Sequence, residues 1–204
     1  MNMLSCRCLN ILPRLFLVIG TAFSLFACNA AKAGSVESQP SFQLAVLRDW
    51  VAFQPPGLGY TTATSWPILK AAYPSEVVFN ITEDDVETYN WTEQKIILTK
   101  KSSLVFLEAL DCEENQQSFT CILLNSFVVA LDEVPVYGGQ FILPASQAAI
   151  RFPVIYVSIV DDNVILDIRP IHAFGGIEET EPGWAVIKDQ RIEQIFAHLN
   201  KLTR

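Results

Sequence analysis

The sequence predicts an α+β fold: a mostly antiparallel sheet of short strands with a C-terminal amphipathic helix packed on it. Three observations point there. Residues 154–160 and 164–169 are β-branched runs on either side of a short polar turn, Asp161-Asp162-Asn163, which is a hairpin signature. Ile192, Ile195, Phe196, Leu199 and Leu202 recur at helical spacing, with Lys188, Arg191, Glu193 and Lys201 largely off that stripe, so residues 187–202 read as one amphipathic helix. From residue 75 onward, short β-rich runs outnumber helical ones and follow each other at hairpin spacing, which favours antiparallel pairing.

The elements follow in order. Residues 42–53 are apolar except at Arg48-Asp49 and fit helix or strand, and Gln54-Pro55-Pro56-Gly57 stops them. Residues 67–73 (PILKAAY) predict a short helix with Pro67 in its first turn, where a missing N–H is tolerated. Residues 76–81 (EVVFNI) predict a strand. Thr82-Glu83-Asp84-Asp85 has the pattern of a capping box with acids in the first turn, which predicts a one- or two-turn helix over 83–88. Residues 95–99 and 104–110 predict strands, the second with helix as its alternative. Residues 119–124 and 127–132 are β-rich. Residues 136–142 extend the sheet, and Gly138-Gly139 within them marks a bulge or a close backbone approach. Residues 145–150 fit one or two helical turns before Pro153.

The N-terminus predicts export. Residues 1–14 carry Arg7 and Arg14 and no acid, and residues 15–27 form an apolar run of thirteen. A membrane span needs about 20 apolar residues, so a basic start with this short run reads as a secretory signal peptide. Two cleavage sites compete. Leu25-Phe26-Ala27-Cys28 resembles the lipobox of bacterial lipoproteins, with Phe26 departing from the smaller residue usual there. That resemblance implies a lipidated Cys28 as the new N-terminus, and Asn29 in place of Asp implies an outer-membrane address facing the periplasm. The other site is Ala31-Lys32-Ala33 before Gly34. The expected organisation is a signal peptide over 1–27, a tether over 28–41 and a single domain over 42–204. With Cys6 and Cys8 in the leader and Cys28 lipidated, Cys112 and Cys121 remain as an even pair, expected to form a disulfide in an oxidising compartment.

Composition narrows the function. At 50% hydrophobic and 18% charged residues, the chain can bury a core. A net charge of −8 argues against nucleic acid as a partner, because phosphate binding needs a cationic footprint. Histidine is limited to His172 and His198, too few for a three-histidine zinc site. No metal or other cofactor is expected, and the G-x-S-x-G nucleophile motif is missing from the sequence. The expected function is a non-catalytic, envelope-anchored lipoprotein that binds a protein partner of basic character, such as an inhibitor or immunity protein against an envelope-acting toxin. Glu83, Asp84, Asp85, Glu113 and Glu114 are the expected partner-binding acids, since acidic surfaces steer basic partners. The alternatives are a periplasmic hydrolase using carboxylates or His172, with Ser146 or Ser158 as nucleophile, and a structural or assembly lipoprotein. Labelled palmitate should be incorporated by the wild-type chain and not by Cys28→Ala, with membrane association lost in the variant.

Overall fold

Ser126–Leu131 (SFVVAL) shows no alternation of polar and apolar residues, and its neighbours explain why: every one of its side chains is buried, so both of its faces are covered. It is the fifth strand of a nine-stranded sheet. The structure, a computed structural model, describes residues 40–48, 62–112, 120–123, 125–145, 150–172 and 183–204. The elements are β1 (Phe42–Leu47), α1 (Thr62–Ala72), β2 (Val77–Thr82), β3 (Val86–Asn90), β4 (Lys95–Leu98), α2 (Lys100–Ala109), a 3-10 turn (Thr120–Ile122) and β5 (Ser126–Leu131). After these come β6 (Val134–Phe141), β7 (Val154–Val160), β8 (Asn163–Arg169), α3 (Gly183–Ile187), α4 (Gln190–His198) and β9 (Leu202–Thr203). The strand order is β2-β1-β5-β6-β7-β8-β4-β3-β9, antiparallel except for β6–β7 and β3–β9. The fold is α+β with a mostly antiparallel sheet and a C-terminal helix packed on it, as the sequence predicts.

This sheet cannot lie flat. β2 and β3 are seven places apart in the strand order, about 34 Å at ~4.8 Å per strand. Yet only Glu83, Asp84 and Asp85 join them, a link that reaches about 14 Å when fully extended. The sheet therefore folds back on itself, and one side of each half faces a shared core. Phe42 and Leu44 of β1, Phe127 and Val129 of β5, Leu166 and Ile168 of β8 and Tyr89 of β3 belong to that single cluster. Phe196 of α4 bridges the halves, with ring centroids 5.1 Å from Phe42 and 5.0 Å from Tyr89. Phe106 of α2 lies 5.8 Å from Phe79 of β2 in the same way. On the other side of β1 and β5, Leu69 and Ala72 of α1 and Tyr73 just after it are buried against Ala45, Leu47, Val128 and Ala130.

The two halves join where β6 runs parallel to β7, through only Gln140↔Val154 and Phe141↔Ile155. Gly139 sits at this seam. A Cβ on it would stand 1.7 Å from the Pro153 carbonyl oxygen, and one on Gly138 would stand 2.6 Å from the Phe127 oxygen. The expected close backbone approach is real, and it is what lets β7 begin against β6.

Several expected elements are corrected. The helix over 83–88 is a turn leading into β3, because Asp85 makes the capping-box bond back to the Thr82 N–H while the β-rich residues after it pair with β4. The strand over 104–110 is the helix α2, which starts earlier under a Thr99 N-cap accepting from the Ser102 N–H. The described part of 119–124 is a 3-10 turn rather than strand. The helix at 67–73 begins at Thr62 and carries Pro67 inside it. The long helix over 187–202 is three pieces. Asp189 caps a fresh start at Gln190, Asn200 turns the chain at φ 57°, and Leu202 enters β9. Ile192, Ile195 and Phe196 of the expected stripe are buried, whereas Leu199 is exposed. The leader, Cys28, most of the tether and residues 146–149 lie outside the described residues.

Gly139→Ala should cost about 3 kcal/mol or more in urea unfolding, since the clash is with backbone that no side-chain rotation relieves. Gly138→Ala should cost less.

Candidate functional site: an acidic rim

The three-residue link between β2 and β3 is made entirely of acids, and two of them are structural. Asp85 Oδ2 accepts from the Thr82 N–H and hydroxyl, both at 2.9 Å, and its Oδ1 accepts from the Ser102 hydroxyl of α2 at 2.9 Å. The Glu83 carboxylate accepts from the Phe42 N–H at 3.1 Å, and the Glu83 carbonyl accepts from Lys201 Nζ at 2.7 Å. Asp84 is exposed.

Two acidic hairpin tips flank this link. Asp132-Glu133 joins β5 to β6, and Asp132 Oδ1 accepts from the Ser41 N–H at 2.9 Å, one residue before Phe42. Asp161-Asp162 joins β7 to β8, and Asp162 meets Lys100 Nζ, at the start of α2, at 3.3 Å. Glu87 accepts from Asn163 beside that tip at 2.6 Å. The hydrogen bonds trace a continuous path: Asp132-Glu133, the start of β1, Glu83 to Asp85, the first turn of α2, then Asp161-Asp162. Among the described residues, Lys100 and Lys201 are the cations bonded into the rim.

Backbone geometry sets these acids apart. Asp132, Glu133, Asp161 and Asp162 all have positive φ, the left-handed pair of a type I′ hairpin turn, where Asn-Gly is favoured. Of the seven described non-glycine residues at positive φ, five are acids, Asp111 being the fifth. Glutamate is poorly suited to this region, which costs a residue with a Cβ roughly 1–2 kcal/mol. Tyr73, near Glu133, has its hydroxyl pKa raised, first by burial and then by that carboxylate.

A second concavity is basic. Outward-facing Lys95 of β4 and Arg169 of β8, with Trp184 and Lys188 at α3, line a pocket of about 590 Å³ together with Thr92, Glu93 and Ala185. Arg169 Nη2 donates to Asp167 Oδ2 at 2.9 Å, and its Nε lies 2.8 Å from Oδ1 as an ion-pair contact without hydrogen-bond geometry. Lys95 meets Glu93 at 2.8 Å and, by hydrogen bond and charge, holds its carboxyl below the usual range. A third feature is His172, buried, with Nδ1 2.6 Å from the Tyr156 hydroxyl. Burial raises the pKa of Tyr156. The structure thus brings a tyrosine to His172. Ser158 is exposed on β7, and Ser146 lies outside the described residues.

Of the acids singled out in the sequence, Glu83, Asp84 and Asp85 fall at the centre of the rim, whereas Glu113 and Glu114 lie outside the described residues. Cys112 and Cys121 sit with their sulfurs at bonding distance and their Cα atoms 5.5 Å apart, as expected of a disulfide pair. Tyr89 is core, and its edge-to-face neighbour Trp91, at 6.0 Å, is partly buried and packs against that core. Sequence reasoning missed Asp132 and Glu133 as rim residues and read Asp161-Asp162 only as a hairpin turn, although a two-residue gap between β-branched runs filled by acids in place of Asn-Gly was a readable signal. Among the described residues, no three His, Cys, Asp or Glu side chains are grouped to hold a metal, and no helix is long and apolar enough to cross a membrane. No protein family, characterised protein or solved structure matches this chain.

Replacing the β5–β6 tip with Asp132→Asn plus Glu133→Gly should stabilise the protein by about 0.5–1 kcal/mol in thermal or urea unfolding, since Asn keeps the bond to Ser41 and Gly relieves the left-handed position.

Proposed function

We propose that this chain is an exported, lipid-tethered envelope protein that binds a basic protein partner on the acidic rim and performs no turnover, as an inhibitor or immunity protein against an envelope-acting toxin would. The observation that carries the reading is the assembly of three acidic turns, remote in sequence, along one hydrogen-bonded rim. Acids held on short, fixed turns keep their geometry when a partner arrives, so little side-chain freedom is lost on docking. The exposed ones, Asp84, Asp132, Glu133, Asp161 and Asp162, attract a cationic surface without the desolvation cost of a buried charge. Hairpin tips that hold acids where Asn-Gly would be more stable are consistent with a role for the charge itself.

The test is a pull-down from an envelope extract followed by association kinetics at two salt concentrations. Neutralising Asp84, Asp132, Glu133, Asp161 and Asp162 together should slow association by about tenfold or more at low ionic strength. The dissociation rate should change less, and added salt should reproduce the effect in the wild type because screening acts within about 10 Å at 0.1 M. An association rate indifferent to salt, or a substrate turned over by the wild type and not by His172→Ala, would move the assignment to the hydrolase.

A further inference from the structure

The pocket at Trp184 lies on a different part of the domain from the rim and has the opposite charge. Among the described residues, three cations line it, Lys95, Arg169 and Lys188, against one acid, Glu93. In a protein of net charge −8 this is a local reversal, and it arises from the strand pattern. Lys95 and Asp167 are cross-strand partners on β4 and β8, and Arg169 follows two residues along the same face as Asp167. α3 then lays Trp184 beside them.

We propose that this pocket is a binding site for a small organic monocarboxylate. Charge balance sets the valence. Among the described residues, Lys95, Arg169 and Lys188 face Glu93 at the wall and Asp167 behind Arg169, an excess of one positive charge. A single carboxylate neutralises it, and a dianionic phosphate overshoots. The cations are already positioned. The ion pair and hydrogen bond with Asp167 hold the Arg169 guanidinium, whose carbon lies 6.0 Å from the centre of the Trp184 ring, and Lys188 Nζ lies 5.1 Å from the same ring. Glu93 tethers Lys95. Side chains ordered in advance lose less freedom when a ligand arrives, and cations held near an aromatic ring still carry hydrogen-bond donors for a carboxylate. The volume of about 590 Å³ falls within the range of small-molecule sites, roughly 300–1,000 Å³. That is more room than a bare carboxylate fills, and Trp184, Ala185 and Thr92 offer a mixed apolar and hydroxyl surface to the rest of the molecule.

Benzoate is the probe, with benzyl alcohol, benzylamine and benzenephosphonate as controls at pH 8. The readout is the indole N–H signal of Trp184 in a proton–nitrogen NMR spectrum of the full domain, assigned by its loss in Trp184→Phe. Benzoate should shift it saturably with Kd on the order of 1 mM or tighter. Benzylamine should leave it unmoved, and benzenephosphonate should bind more weakly than benzoate. Lys188→Gln should weaken benzoate by about tenfold. It is the deciding variant, because Arg169→Gln would also strip Asp167 of its partner. A shift with benzyl alcohol equal to that with benzoate would overturn the proposal. So would tighter binding of the phosphonate, benzoate affinity unchanged in a folded Lys188→Gln, or the lack of any saturable shift.

Discussion

Between Thr82 and Val86 the chain has three residues in which to pass from one edge of a nine-stranded sheet to the strand next to the other edge. The rest of the architecture follows from how little distance that link covers. The sheet has to double over, and doubling over creates an enclosed core that α2 and α4 can fill. Phe196 then packs on strands from both halves. The same link explains why its acids are so heavily hydrogen-bonded. Asp85 is tied to α2, Glu83 to β1 and to Lys201, so the turn acts as the clasp that keeps the two edges together.

The clasp also accounts for the position of the rim. Hairpin tips at the ends of β5 and β7 converge on the link because the fold-back brings the ends of their strands to it. Acids that are scattered over eighty residues in the chain become neighbours through this one constraint. The basic pocket has a different origin. It is a property of a single sheet face, with alternating outward positions on β4 and β8 carrying Lys95, Asp167 and Arg169, and it owes nothing to closure. Two charged surfaces of opposite sign thus have independent structural causes, so each can be altered without disturbing the other.

How much of this was legible in the sequence depends on the range of the interactions involved. The β7–β8 hairpin was legible because its signal is local: two β-branched runs and a polar turn. The glycine pair at the β6–β7 seam was legible because few roles require two adjacent glycines inside a strand pattern. The 83–88 segment misled because its first step is the same in both outcomes. Asp85 reaches back to the Thr82 N–H as a capping residue does, and only the pairing of Val86–Asn90 with β4 decides that a strand follows. The C-terminal stripe misled at its end, since Leu202 keeps the helical spacing while its backbone is taken by β3. Trp184 and its cations carried no local signal, because their meeting depends on register between strands seventy residues apart.

The pairing of Tyr89 with Leu202 has a kinetic side. The β5–β6 and β7–β8 hairpins close over short loops and can form early. The clasp, the core between the halves and β9 all wait on contacts between residues far apart in sequence. Chains dominated by such contacts fold on a scale of roughly milliseconds to seconds, slowly beside helical bundles of similar length. On the proposed export route that delay is useful, because a polypeptide that closes late stays threadable for longer while it crosses a membrane.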